Sequence, residues 1–175
     1  MVATTLTSDQ LPLNWLRKAI ALCGKTVAWL TLSMVLLTFA IVVMRYGFNQ
    51  GWIWLQESLI YMHVAVFTIA AAWTLQVDEH VRVDILYTDM STRKRALVDL
   101  IGTLVFLLPF CIFLIVMATP YVATSWKLME TSHEAGGLPL VFLLKTLMLI
   151  MPALLLLQGV LNVIDSARTL KKTHA

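Results

Sequence analysis

The sequence predicts an all-α integral membrane protein with four transmembrane helices in a single domain, and three observations carry that reading. Hydrophobic residues fill 59% of the 175 positions and charged residues 13%, against roughly a quarter charged in a soluble domain. The charges cluster, so that Thr26–Met44, Ser58–Val77, Leu100–Trp126 and Thr146–Ile164 contain no Asp, Glu, Lys or Arg. Each run holds about 19 residues or more, close to the ~20 that cross ~30 Å of hydrocarbon; because lipid offers the backbone no hydrogen bonds, such runs must be helices. Spans at 24–45, 53–76, 97–121 and 139–163 follow.

The first ten residues are polar and read as a disordered lead. From Leu11, the pattern Leu13, Leu16, Ile20 with Arg17 and Lys18 opposite fits either an amphipathic helix lying on the membrane surface or the first turns of span one. Span one is too long for the core of a signal peptide and ends at Arg45, not at a small-residue cleavage site. Trp52 and Trp54 stand at the start of span two. Glu57, Tyr61 and Thr68 fall at i, i+4 and i+11 and share one face, and such a stripe normally turns to protein.

Beyond span two, His80-Val81-Arg82-Val83-Asp84 alternates charge with valine. The period is that of a strand, but an isolated strand is implausible at a bilayer. Two readings remain: a continuation of span two at the interface, with Arg82 on anionic headgroups, or a salt-bridged surface loop. Ser91 or Thr92 supplies the N-cap of the helix that carries Asp99 into span three. Pro109, Pro120 and Pro152 lie within or at the ends of spans three and four and are assigned to helix shape. Gly136, Gly137 and Pro139 punctuate the outer loop, which also carries Glu134, and restart a helix.

Ten of the 13 basic residues lie before span one, between spans two and three, or after span four. Arg45, Lys127 and Lys145 are the remainder, so the positive-inside rule puts both termini and the middle loop in the cytoplasm. Trp52, Trp54 and Trp126 then mark the outer interface. The basic balance has no aromatic-interleaved patch, so nucleic acid is not an expected partner.

An ionisable group at the centre of an apolar span costs about 2.5–3.5 kcal/mol on insertion scales and needs a partner or a function. Glu57 and Lys145 are the clear cases. Each lies about a turn and a half inside its span from the same face, so their expected arrangement is an ion pair with each other; contact with a partner subunit, or ion or substrate handling, are the alternatives. His63 lies deeper in span two, where a buried neutral histidine bonded to a neighbouring helix is expected. A haem would need a second axial ligand at that depth, and His80, His133 and His174 sit at membrane edges or beyond.

At these residues the sequence resembles the small membrane subunit of tripartite ATP-independent periplasmic (TRAP) transporters, the DctQ-like permeases. Arg45-Tyr46-Gly47-Phe48-Asn49 before Trp52, then Leu55-Gln56-Glu57, resembles the family's loop and its Glu. His80-Val81-Arg82-Val83-Asp84-Ile85 resembles its cytoplasmic motif. Leu107-Leu108-Pro109-Phe110, Gly136-Gly137-Leu138-Pro139 with Lys145, and Gln158-Gly159 resemble one branch. The likeness runs from about Leu22 to Asn162, and the order of the motifs, the four spans and the length together make it specific. Glu79 departs from it, since many relatives carry Gly before this His. The resemblance implies a large membrane transport subunit and a periplasmic substrate-binding protein as partners beside the lipid bilayer, no cofactor in this subunit, and a coupling ion, often sodium, in the large one. The candidate structural or partner-interface residues are Arg45, Trp52, Trp54, Glu57, Tyr61, His80, Arg82, Asp84, Glu134 and Lys145.

Transporters that house their own sites use broken helices, repeats and midplane polar groups, whereas the middles of spans one, three and four are almost wholly apolar. The expected role is to brace the large subunit and widen the outer surface on which the binding protein docks. The rival reading is a four-span membrane redox protein. A quinone-linked disulfide oxidase needs cysteine pairs in outer loops, which Cys23 and Cys111 do not provide, and a haem carrier meets the histidine positions above. A free-standing channel lacks a hydrophilic stripe.

Overall fold

The computed structural model describes residues 11–80 and 90–172. The polar lead 1–10, and Arg82 and Asp84, lie outside the described residues. Among the described residues four helices are long and apolar enough to cross a membrane: α1 (Leu11–Gly47), α2 (Ile53–Gln76), α3 (Thr92–Leu128) and α4 (Val141–Lys172). Side by side they run in the order α1, α2, α4, α3, since α1 packs on α2, α2 on α4, and α4 on α3. The outer members of this row, α1 and α3, expose broad apolar faces that include Phe39 and Val116.

The amphipathic start is not a separate surface helix. It is the first part of α1, whose 37 residues span about 55 Å at about 1.5 Å per residue, well beyond the hydrocarbon thickness. The excess length is used at the end that carries both termini. There Arg17 ion-pairs with Asp165 of α4, and its carbonyl accepts the Gln76 side-chain amide of α2 at 3.2 Å. The apolar core lies nearby, with Ile20, Ala72, Leu155, Leu161 and Cys111 buried together. α1 comes close to α2 at Gly24, where a Cβ would stand 2.5 Å from that of Trp73.

α2 does not continue along the interface. It stops in a Schellman motif, with the Glu79 amide donating to Thr74 O (3.0 Å) and the Asp78 amide to Leu75 O (3.4 Å). The left-handed residue is Asp78, with φ of 66°, so the turn asks for no glycine at Glu79. Ser91 caps the N-terminus of α3 and accepts from the Lys94 amide at 3.5 Å. Within α3, Thr103–Leu107 widens to a π turn, closed by the Leu108 amide on Thr103 O, just before Pro109, which has no N–H to give. α4 crosses there at Gly159, where a Cβ would lie 3.0 Å from Leu108 Cδ2.

Candidate functional site

The intramembrane carboxylate and ammonium are both spent at the loop end of the row. The end of α3 sets up the arrangement. Met129 adopts φ of 46°, and the Glu130 amide turns back to Ser125 O at 3.1 Å, again a Schellman closure. This turn directs Glu130 towards α4, where the Lys145 ammonium reaches its carboxylate at 2.5 Å. The ammonium also sits 4.0 Å from the centroid of the Tyr121 ring, a cation–π contact. Lys145 holds the Glu130 carboxyl below its ordinary pKa.

Glu57 is used in the same way from α2. One carboxylate oxygen accepts from the Ser132 hydroxyl and the other from the Leu138 amide at 2.5 Å. The connection closes on itself, with the Ser132 amide on Leu138 O (3.1 Å) and the Gly137 amide on Glu134 O (3.0 Å). Gly136 has φ of 82°, and a Cβ at Gly137 would lie 2.7 Å from Glu57 Oε1 and overlap the Ser132 side chain. Glycine is therefore favoured at both positions, at one by conformation and at the other by space. Trp126 closes the far side, donating its indole N–H to Thr146 Oγ1 at 2.9 Å and packing edge-on against Phe142 with centroids 4.7 Å apart.

The expected Glu57–Lys145 ion pair is thus corrected. The two groups start spans that leave the same face, but each meets the polar backbone and side chains of the connection between α3 and α4 first. Charge pattern alone reveals neither the amide of Leu138 nor the hydroxyl of Ser132, and nothing in the sequence singles out Glu130. The burial expected of His63 is corrected as well: it is exposed on α2.

The other candidates separate. Tyr61, one turn below Glu57, has its hydroxyl enclosed without a hydrogen-bond partner among the described residues. Trp52 and Trp54 are exposed at the start of α2, and Arg45 is exposed in the last turn of α1, where the helix dipole favours a cation. Glu134 is exposed on the pinned connection. His80 lies at the other end of the molecule, with its Nδ1 3.1 Å from Thr74 Oγ1. The two cysteines are free, Cys111 buried in α3 and Cys23 exposed on α1. Among the described residues no three His, Cys, Asp or Glu side chains gather as a metal site requires.

Residues 34–169 match the family described as tripartite ATP-independent periplasmic transporters, DctQ component. The chain belongs to the DctQ component family. Among its relatives is the C4-dicarboxylate TRAP transporter small permease protein DctQ of Vibrio cholerae serotype O1 (strain ATCC 39315 / El Tor Inaba N16961), 33% identical over 76 residues. That stretch is 43% of this chain and 33% of the relative, so the chain spans about a third of the length of the relative that it matches. No solved structure matches it. As a DctQ component with four spans, it is a multi-pass protein of the inner membrane. The DctQ match takes in Glu57, the pinned connection and Lys145 together.

Proposed function

We propose that this chain is the small membrane subunit of a TRAP-type secondary transporter, a transport component and not an enzyme. It braces the large transport subunit in the bilayer and offers a fixed outer surface to a periplasmic substrate-binding protein during ion-gradient-driven uptake of an organic acid. Membership of the DctQ family supports the partners, and the name of the Vibrio relative supports a dicarboxylate or similar acid. The basic bias supports cytoplasmic termini and a periplasmic connection between α3 and α4.

One observation carries the bracing role. Glu57 and Lys145, the charges that a substrate path would draw on, are instead bonded to the chain's own connection. Ligand chemistry and the coupling sodium then belong to the large subunit, while the pinned connection displays Glu134 and His133 outward for the binding protein. Proteoliposomes provide the test. Those holding this chain alone should accumulate no labelled C4-dicarboxylate under a sodium gradient, and those that also hold the large subunit, with binding protein outside, should. Accumulation by the chain alone overturns the reading.

A further inference from the structure

We propose that the exposed stripe of α2 carrying Gln56, Ile60, His63 and Phe67 is the face on which the large subunit packs, with the His63 imidazole hydrogen-bonded to a polar group of a partner helix near the bilayer midplane. The proposal rests on the small-subunit reading above and names its contact face.

The four residues step by four, three and four, so they form one stripe along the helix. All four are exposed, Ile60 at 53% and Phe67 at 69%. His63 lies ten residues beyond Ile53 in α2, about 15 Å along the helix and so near the middle of ~30 Å of hydrocarbon. At that depth water is absent and lipid cannot accept or donate, so an unpaired ring nitrogen is costly.

Other exposed polar side chains in the spans avoid this cost by themselves. Thr31 donates to Ala28 O at 2.6 Å, Thr38 to Met34 O at 2.7 Å, and Thr119 to Ile115 O at 2.6 Å. Such hydroxyls are satisfied by their own helix and can face acyl chains. His63 and Gln56 have no hydrogen-bond partner among the described residues, and they share a face. Lipid therefore suits the outer faces of α1 and α3 but not this one. The occupant must combine apolar surface for Ile60 and Phe67 with a hydroxyl, carboxamide, carboxylate or freed carbonyl opposite His63. A transmembrane helix of another protein component offers both, and the family's transporters are tripartite.

The test uses the full chain co-expressed with the large membrane subunit of its own organism. A photo-crosslinking residue at position 60 or 67 should give an adduct with the large subunit, and one at Phe113 or Val116 of α3 should give little. His63→Leu should reduce the large subunit recovered with the chain about three- to tenfold, with the isolated chain's Tm unchanged or raised, and His63→Gln should restore most of the recovery. Adducts only from α3, in an intact complex, overturn this face and leave the small-subunit reading standing. Adducts of the chain with a second copy, or full recovery with His63→Leu, overturn it as well. Failure of the wild-type chain to retain any large subunit overturns both.

Discussion

Glu57 accepts the backbone amide of Leu138 at 2.5 Å, joining positions 81 residues apart. A charged acceptor on α2 thereby fixes a backbone donor in the connection between α3 and α4, and the Ser132 hydroxyl completes the clamp. Removing the carboxylate leaves the amide to find water. Glu57→Ala should therefore speed hydrogen exchange at Leu138 and Gly137 and lower the Tm, with Glu57→Gln intermediate because it keeps an acceptor without the charge. Exchange unchanged in Glu57→Ala would show that the clamp does not hold the connection.

Glu57 and Lys145 have separate partners, so their losses should add. In a double-mutant cycle on Tm, Glu57→Gln with Lys145→Met should show no coupling, whereas Lys145→Met with Glu130→Gln should show a clear one. Coupling in the first cycle would restore the direct pair.

The Lys145–Glu130 pair also predicts a pH dependence. The folded carboxyl titrates below its unfolded value, so its contribution to stability is complete above the unfolded pKa and is lost as pH falls through the folded one. The Tm gap between wild type and Glu130→Gln should be full at about pH 7 and close on acidification below the ordinary carboxylate range. Thermal scans across that interval check it; a gap that stays constant to the most acid point would oppose the pairing.

At Gly24 the approach of α1 to α2 leaves no space for a side chain. Gly24→Ala should cost about 1–3 kcal/mol through overpacking against Trp73. For a chain of this length that corresponds to a fall in Tm of about 2–4 °C per kcal/mol. An unchanged Tm would mean that the helices separate freely there.

Reporters fused after Ala175 and within Ser91–Arg95 should both report cytoplasm, because the basic residues gather at those ends. A reporter in the connection, at Glu134, should report periplasm. A periplasmic signal from either of the first two fusions would reverse the orientation and remove the docking surface.

The spans were legible in the sequence, because a charge-free run of some 20 residues has few structural options once water is absent. The Ser91 cap and the glycine punctuation of the connection were legible for the same local reason: each depends on a few neighbouring residues. The face that each helix turns to its neighbours was less so. Spans two to four are apolar almost all round, so periodicity does not mark an inner side, and His63 read as buried.

From sequence alone came the four membrane helices, the charges that need compensation and the family resemblance. Each depends on composition, length or the order of motifs along the chain. The tertiary structure decided that Glu57 holds Leu138 and Ser132, that Lys145 holds Glu130, and that Arg17 reaches Asp165. Similar depth in the bilayer brings two charges to one level but does not set their directions around the helices. Those directions follow from the row α1, α2, α4, α3 and from a connection that folds back to present amides and a hydroxyl, groups whose availability depends on backbone path and not on residue type.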